Sequence, residues 1–237
     1  MDIRSMILYE DNDIIVCRKE AGLPVQHKNS GVMDLESMLI NYLAEKTMAS
    51  SGGKIPYLAV VHRLDQPVEG VIVFALNKKA ASGLSDQMRD GIMNKEYLAL
   101  VEPRGKVHGP ADDPGEWHQL NDFMLRDGRT NTSRIVPDGT PGSKEARLSY
   151  RIVNDAAPDI PPDKALLHIL LDTGRHHQIR VQLSHAGMPI VGDRKYGQFE
   201  GSVTGPLCLC ARSLTFYHPS GGKKMKFEIT PSFLPGR

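Results

Sequence analysis

The stretch VVHRLDQPVEGVIVFA, residues 60–75, places a polar segment between two apolar, strand-like runs. Such runs predict neighbouring strands of a buried sheet, so the chain must leave its core at the segment His62-Arg63-Leu64-Asp65 and then re-enter it. A carboxylate on a loop between buried strands is poorly placed for packing and well placed for chemistry. The stretch therefore predicts a sheet-based core and a functional loop that carries Asp65.

Length and composition bound the class of protein. With 237 residues, of which 40% are hydrophobic, the chain can bury one sizeable core, and we expect a single domain over residues 1–237. No apolar run reaches the roughly 18 residues that a transmembrane helix needs, and the acidic N-terminal segment does not resemble an export signal. Cys17, Cys208 and Cys210 form no even disulfide framework, which indicates a reducing, cytoplasmic location.

Charge and motif content exclude several function classes. The net charge of +1 is not that of a generic nucleic-acid binder, so an RNA-binding protein of this composition would have to concentrate its basic residues on one face. The sequence contains no Gly-rich phosphate loop, GxGxxG or GxSxG motif. Most nucleotide-dependent and serine-hydrolase functions are thereby excluded.

Hydrophobic periodicity predicts a mixed α/β (α+β) fold with a largely antiparallel central sheet and flanking helices. Residues 104–145, rich in Gly, Pro and Asp, are expected to form short strands and loops at the surface. The other predicted elements are a hairpin over 7–26, a helix over 34–46 with Asp34 as its cap, a helix over 77–91 that Gly91 ends, a strand over 94–103, an antiparallel pair over 146–153 and 164–174, a helix that begins just after Arg175 and ends at Gly187, and a last hairpin around 220–222.

The charge of Asp65 needs an explanation if the side chain is buried. An aspartate with its ordinary pKa near 3.9 is ionised at neutral pH, and burial raises that pKa unless a cation or hydrogen-bond donors hold the charge. A buried, ionised Asp65 therefore needs a partner, and an arginine from elsewhere in the chain is the natural one. The alternative is that Asp65 caps a turn or pairs with its neighbour Arg63.

A second polar segment, residues 171–197, has a helix expected after the Thr173-Gly174 turn. The side chains that could face an anionic ligand there are Arg175, His177, Gln178 and Arg180. The neighbouring histidines His176, His177 and His185 allow a metal site, but no HExxH motif, paired cysteine or carboxylate cluster accompanies them, so we expect no metal. Cys208 and Cys210 alternate in an apolar strand as core thiols, and Tyr97 by itself would be a packing residue.

Five segments together resemble the RluA-type RNA pseudouridine synthases over nearly the whole chain. They are YEDNDIIVCRKEAGLPV, HRLDQPVEGVIVFALN, KEYLALV, TGRHHQIRVQLSHAGMPIVGDRKYG and LCARSLTFYHPSGG. The HRLD block followed by TGRHHQIR at residues 173–180 is the most specific part. The resemblance implies a single pseudouridine synthase catalytic domain without an S4 domain, which converts a specific uridine of structured ribosomal or transfer RNA to pseudouridine without a cofactor.

The resemblance also implies a catalytic set of Asp65, Tyr97 and Arg180. Asp65 would act either as a nucleophile at ribose C1′ or as the base that removes a C2′ proton, and both remain open. Arg180 would pair with Asp65 and keep it ionised. Tyr97 would stack on the uracil and assist proton transfer at C5, and such stacking contributes about 1–3 kcal/mol.

Substrate-binding roles follow from the same resemblance, because the target uridine must flip out of the RNA at a cost of a few kcal/mol. Arg63 would move into the vacated space, and His62 would shape the same loop. Arg175 and Gln178 would orient Asp65 or contact an RNA phosphate. Further RNA contacts could come from basic residues of the 104–145 segment, unless these are simply a solvated surface; they are Lys106, Arg126, Arg129 and Arg134.

The chain departs from the family pattern at Val68 and Glu69, where Thr and Ser are usual, and at Glu20, where Pro is usual. The loss of two hydroxyl groups beside Asp65 leaves open a catalytically weak RNA-binding or ribosome-assembly protein on the same fold. A metal hydrolase built on the histidines is a third possibility and would contain zinc. For the enzyme we expect RNA as the partner, no metal, no membrane association and a monomeric state.

Overall fold

The computed structural model describes residues 2–27, 29, 31–47, 55–104, 115–153, 160–197 and 205–234. The α-helices in these residues are α1 (Leu35–Thr47), α2 (Lys78–Arg89) and α3 (Gln178–His185). The strands are β1 (Ile7–Glu10), β2 (Ile14–Lys19), β3 (Ala59–Val60), β4 (Glu69–Ala75), β5 (Asn94–Val101), β6 (His118–Asp127), β7 (Thr132–Val136), β8 (Lys144–Ile152), β9 (Ala165–Leu171), β10 (Leu209–Tyr217) and β11 (Lys224–Glu228).

The chain divides into two compact units. The first unit comprises Met1–Lys95 and Ala211–Ile229, and the second comprises Glu96–Cys210 and Thr230–Arg237. The pairs β1–β2 and β2–β4 of the first unit and β5–β9 and β8–β9 of the second are antiparallel, which agrees with the predicted mixed α/β fold and its largely antiparallel sheet. Whether the units act as the single domain expected from the sequence stays a prediction. None of the described helices is long and apolar enough to cross a membrane.

The first unit is organised around β4, which lies beside β2 on one edge and β10 on the other. Strand β2 also pairs with β1, so the predicted N-terminal hairpin is confirmed, as is the last hairpin of β10 with β11. Every residue of β4 is buried. A strand covered on both faces has no solvent-facing positions to alternate with apolar ones, which explains its continuous apolar run.

The caps of the first two helices follow the sequence signals. The Asp34 Oδ1 atom accepts the Ser37 N–H at 2.8 Å at the start of α1, as predicted. The Asn77 Oδ1 atom accepts the Ala80 N–H at 2.9 Å at the start of α2. Helix α2 ends before Gly91, whose φ of +70° is the left-handed conformation that commonly ends a helix.

Gly70 sits where two strands of the first unit approach closely. Its φ is +153°, and a Cβ atom built there would lie 2.7 Å from the carbonyl oxygen of Ala211 on β10. No side chain fits at this distance, so only glycine allows β4 to begin directly after the Asp65 loop.

The second unit has the strand order β5-β9-β8-β6-β7. The pairing of β8 with β9 confirms the predicted antiparallel pair, whose connecting residues 154–159 lie outside the described part of the chain. The expectation of short strands and loops over 104–145 is wrong for β6, which has ten residues and pairs with both β7 and β8. Met124 is the only β6 residue that is fully buried. Polar side chains occupy most of the strand, so its sequence lacks the apolar periodicity that would predict a long strand.

Candidate active site

Asp65 lies on the loop that joins β3 to β4, as the sequence predicted. Its carboxylate is half-buried, while Arg63 is exposed and Leu64 is buried. The loop closes with a turn in which the Val68 N–H donates to the Asp65 carbonyl oxygen at 3.0 Å. The loop thus presents one carboxylate at the edge of the buried sheet.

Lys19, the last residue of β2, holds this loop in place through hydrogen bonds. Its side chain has no solvent exposure. The Nζ atom donates to three backbone carbonyl oxygens, those of Glu20 at 3.0 Å, Leu23 at 2.7 Å and Gln66 at 3.0 Å. Gly22 and Gln66 bond reciprocally, because the Gly22 N–H donates to the Gln66 carbonyl at 2.9 Å and the Gln66 side chain donates back at 3.1 Å. The residue after Asp65 is therefore fixed to the turn after β2.

The charge of Lys19 acts on the same loop. Burial lowers the pKa of Lys19 to about 8, and the negative charges of Asp65 and Glu69 oppose that change. By the same attraction, the ammonium favours the ionised form of the Asp65 carboxyl. The sequence analysis missed this role. The available signal was a lysine at an inward-facing position at the end of an apolar strand.

Lys19→Met is expected to change how stability depends on pH. The pKa of Lys19 is about 8 in the folded protein, against 10.5 for an exposed lysine, so the unfolded chain binds more protons between these values. Relative to the variant, the wild type should therefore gain about 2 kcal/mol of unfolding free energy between pH 8 and pH 10. Urea unfolding at several pH values measures this difference. Parallel curves for the two proteins would contradict the lowered pKa, and Lys224→Met, an exposed lysine of the same unit, is the control.

His62 holds the start of the loop against β4. Its Nε2 atom accepts the Val73 N–H at 3.2 Å, so a neutral ring carries its proton on Nδ1. Burial keeps the pKa of His62 well below its ordinary value, and the positive charge of Lys95 adds to the effect. No described residue accepts a hydrogen bond from Nδ1. This geometry fits the expected loop-shaping role, which stays a prediction.

Val68 and Glu69, the departures from the family pattern, both point into the first unit. Each is 3% exposed. A carboxylate oxygen of Glu69 lies 3.6 Å from a guanidinium nitrogen of Arg18. The additional acid near Asp65 is therefore a buried, paired group and does not face solvent.

Tyr97 and Arg180 belong to the second unit. Tyr97 lies on β5 opposite Ile169 of β9 and is 7% exposed. Arg180 lies on α3 and is 4% exposed. Both residues occupy the elements that the sequence predicted for them, and their catalytic roles stay predictions.

Asp193 forms a two-pronged ion pair with Arg180. The Nε atom of Arg180 donates to Oδ2 at 2.8 Å, and a terminal nitrogen donates to Oδ1 at 2.7 Å. Burial alone would raise the pKa of the Asp193 carboxyl, but Arg180 and the backbone N–H groups of Lys195 and Tyr196 bring it below its usual value. This pair uses two of the five N–H donors of the guanidinium. The expected pairing of Arg180 with Asp65 joins residues of different units and stays a prediction.

Tyr196 connects Arg180 to the start of α3. Its ring lies 5.1 Å from the guanidinium carbon of Arg180. Its hydroxyl accepts the Ser133 N–H at 2.9 Å and shares a hydrogen bond with Nδ1 of His177 at 2.6 Å. The sequence analysis quoted Asp193 and Tyr196 within a motif but gave them no role. A buried arginine on α3 implies an acidic partner, but the sequence around Arg180 does not indicate which acid that partner is.

His177 explains why α3 begins at Gln178, later than predicted. Its φ of 56° is left-handed, which few residues other than glycine adopt. Burial and the nearby charge of Arg180 lower the pKa of His177 to about 3, so the ring is neutral and can accept the Tyr196 hydroxyl. Backbone strain of this kind concentrates at functional sites.

Gln178 and Arg175 make their described contacts within the protein. The Gln178 side chain accepts from the Thr173 hydroxyl and the Arg175 N–H, and it donates to the Arg147 carbonyl and the Gln182 side chain, over 2.8–3.0 Å. The Arg175 Nε atom donates to the Glu145 carbonyl oxygen at 2.7 Å. These contacts fix the segment before α3, and the RNA-binding roles expected for both residues stay predictions.

The other sequence-predicted groups fall in separate places. Arg126, Arg129 and Arg134 are exposed on β6, β7 and the turn between them, while Lys106 lies outside the described residues.

A further group joins Asp11, Asp13 and His218, whose potential metal-ligand atoms all lie within 4.8 Å of one another. These three residues also bind one another, since the Asp11 carboxylate accepts from His218 at 2.8 Å and from the Asp13 N–H at 2.8 Å. The group therefore stabilises the β1–β2 turn.

The fold and the two polar segments define an RNA-modifying enzyme class. Residues 13–185 match the family model described as RNA pseudouridylate synthase. The chain therefore belongs to the RNA pseudouridine synthase family and is an isomerase of that class, as the sequence resemblance implied.

Curated relatives and solved structures agree with this assignment. The chain is 30% identical to the ribosomal large subunit pseudouridine synthase D of Zymomonas mobilis, over 96% of this chain and 69% of the relative. It is 34% identical to an RNA pseudouridine synthase of Aquifex aeolicus, over 94% and 68% of the two chains. The structure of human RNA pseudouridylate synthase domain containing 4 shares the fold, with a TM-score of 0.73 and 22% identity over 98% of this chain and 91% of that one.

Proposed function

We propose that Asp65 carries the isomerisation of a specific uridine in structured RNA. The observation that supports this assignment is a half-buried carboxylate on a loop that Lys19 holds through the Gln66 carbonyl. The charge of Lys19 favours the ionised form of the Asp65 carboxyl, which both a nucleophile and a general base require. The relatives named as ribosomal large subunit synthases make ribosomal RNA the first substrate to test, with transfer RNA second.

The reaction breaks the bond between N1 of uracil and C1′ of ribose and forms a bond between C5 and C1′. The uridine first flips out of the RNA, and exposed Arg63 is suited to fill the vacated space. Asp65 either attacks C1′ or removes the C2′ proton, and in both cases the detached uracil rotates before it rejoins through C5. In the first route the bond between Asp65 and C1′ breaks as C5 attacks C1′, and in the second Asp65 returns the proton to C2′ as the bond between C5 and C1′ forms. The C5 proton leaves at the end and N1 becomes protonated, so the change is an isomerisation without a cofactor.

Arg180 and Tyr97 complete the proposed catalytic set. Asp193 and Tyr196 hold the Arg180 guanidinium in one orientation, from which its remaining N–H donors can meet another oxygen. Tyr97, on strand β5 of the second unit, supplies a ring for the uracil to stack on. Asp193 and Tyr196 act through Arg180 and are positioning residues.

Release of tritium from RNA labelled at C5 of its uridines tests the proposal, because this proton is lost only when C5 forms the new bond. Wild-type protein should release tritium from unmodified ribosomal RNA, transfer RNA or both. Mapping the pseudouridine then identifies the position. Tight RNA binding with no release from either RNA would support the alternative of a ribosome-assembly protein that has kept the fold.

We also propose a monomeric protein of the cytoplasm. The three cysteines are buried. Burial raises the pKa of the Cys17 thiol to about 12, so this thiol is unreactive in a reducing compartment. Light scattering after gel filtration tests the monomer, and a mass of about twice 26.2 kDa would contradict it.

A further inference from the structure

A basic pocket lies in the second unit, beside the segment that leads into α3. Its volume is about 250 Å³, and its lining residues are Met124, Arg126, Ser133, Gly142, Lys144, Gly174, Arg175 and His176. Three of these carry positive charge and none carries a carboxylate. The pocket is smaller than the roughly 300–1,000 Å³ of small-molecule sites, so it suits a phosphate group better than a whole nucleotide.

The positive charges of this basic pocket are not balanced by described acids. The Lys144 side chain is exposed and forms no hydrogen bond or ion pair with another described residue. Arg126 contacts the neutral side chain of Asn131 at 3.5 Å, and Arg175 bonds to a backbone carbonyl. The nearest acid along the strand, Glu145, pairs instead with Arg147 at 2.9 Å.

Part of the lining of the basic pocket is ordered by hydrogen bonds within the protein. The Arg175 guanidinium is fixed by its bond to the Glu145 carbonyl oxygen at 2.7 Å. The Ser133 hydroxyl and the His176 ring are 2.9 Å apart and form a polar side of the pocket. Gly142 and Gly174 line it without side chains, which lets a ligand approach the backbone. Arg175 is thus ordered before an anion enters, whereas the exposed Arg126 and Lys144 side chains would be ordered by the anion.

We propose that this basic pocket binds one backbone phosphate of the RNA substrate, through Arg126, Lys144 and Arg175. Arginine and lysine are the usual phosphate ligands in protein–RNA contacts, and these contacts fix the register of the RNA. The inference rests on the proposed function, because it takes RNA as the substrate. The pocket is joined to the helix that carries Arg180, since the Gln178 side chain accepts the Arg175 N–H at 2.9 Å. A phosphate held here therefore sets the position of the RNA on the second unit.

Salt-dependent RNA binding tests the pocket independently of turnover. Fluorescence anisotropy would measure the Kd of labelled, unmodified ribosomal RNA for the Asp65→Asn protein at several KCl concentrations. Each phosphate contact contributes about 0.7–0.9 to the slope of log Kd against log [KCl]. Because the pocket holds one phosphate, Arg126→Gln with Lys144→Gln should lower that slope by about this amount, and Lys144→Gln alone by part of it. Lys224→Gln, which removes an exposed charge from β11 of the first unit, is the matched control and should leave the slope unchanged.

Pocket variants that keep the slope of the Lys224→Gln control would overturn the proposal. A second experiment measures thermal stability with inorganic phosphate. If phosphate stabilises the Asp65→Asn protein but not the same protein with Lys144→Gln, and the RNA slope is unchanged, the pocket binds free phosphate. That result would also overturn the proposal. Tritium release separates this proposal from the proposed function. In otherwise wild-type protein, Lys144→Gln should raise KM and leave kcat unchanged. Absence of release from wild type would count against the isomerase alone, because the slope still reports the pocket.

Discussion

Asp65→Asn should reduce tritium release from uridine-labelled RNA by at least about a thousandfold. The amide is neither a nucleophile nor a base, and removing such a group costs a rate factor of this order. Asparagine has nearly the same shape, and the Lys19 bonds to the loop involve backbone carbonyls only, so the loop should keep its position. The rate of tritium release under single-turnover conditions, with RNA binding measured in parallel, gives the result.

The control for this substitution is Asp138→Asn, an exposed acid of the second unit. It makes the same chemical change at a residue with no proposed part in the reaction and should leave the rate unchanged. Asp65→Asn that binds RNA like wild type and still turns over at more than a tenth of the wild-type rate would remove Asp65 from the catalytic role.

Asp193→Ala is expected to lower the free energy of unfolding by about 3–5 kcal/mol. The reason is that Arg180, itself 4% exposed, would be left as a buried charge without this counter-ion. Asp193→Asn keeps the shape and removes the charge, and it should cost less stability while still lowering kcat, since Arg180 loses its fixed orientation. Chemical unfolding and tritium release measure the two effects separately.

The pH dependence of stability gives an independent check on this pair. The pKa of Asp193 in the folded protein lies below that of an unfolded aspartate, so its contribution is present above pH 4 and is lost as the pH falls through the folded pKa. The wild type should therefore lose stability on acidification more steeply than Asp193→Asn. Equal acid sensitivity of the two proteins would contradict a stabilising ion pair.

Local sequence patterns predicted the elements well wherever a periodic apolar run was present. The continuous run of β4 and the capped run of α1 are examples, and both elements formed as expected. The prediction was wrong for strand β6, because only Met124 on it is fully buried and its sequence pattern is therefore like that of a loop. Helix α3 began late because a left-handed His177 is a feature that no single-residue preference indicates.

The residues that hold the candidate site residues in place were harder to predict than the site residues themselves. Asp65 and Arg180 stand in specific motifs, whereas Lys19 and Asp193 support them from other parts of the chain. Lys19 reaches Gln66 across 47 positions of sequence, and Asp193 meets Arg180 across 13. A sequence read by itself gives no measure of which distant residues meet, so these partners emerge only from the folded structure.

The hydrogen bonds of Lys19 have a consequence for the motion of the Asp65 loop. An ammonium with three carbonyl acceptors cannot release Gln66 without leaving a buried charge poorly solvated, so local opening of this loop is costly. The Gly22 amide hydrogen, which bonds to the Gln66 carbonyl, should then exchange with solvent as slowly as the amides of β4. The loop that carries Asp65 would belong to the most slowly exchanging part of the first unit, and adaptation to RNA would fall to exposed side chains such as Arg63.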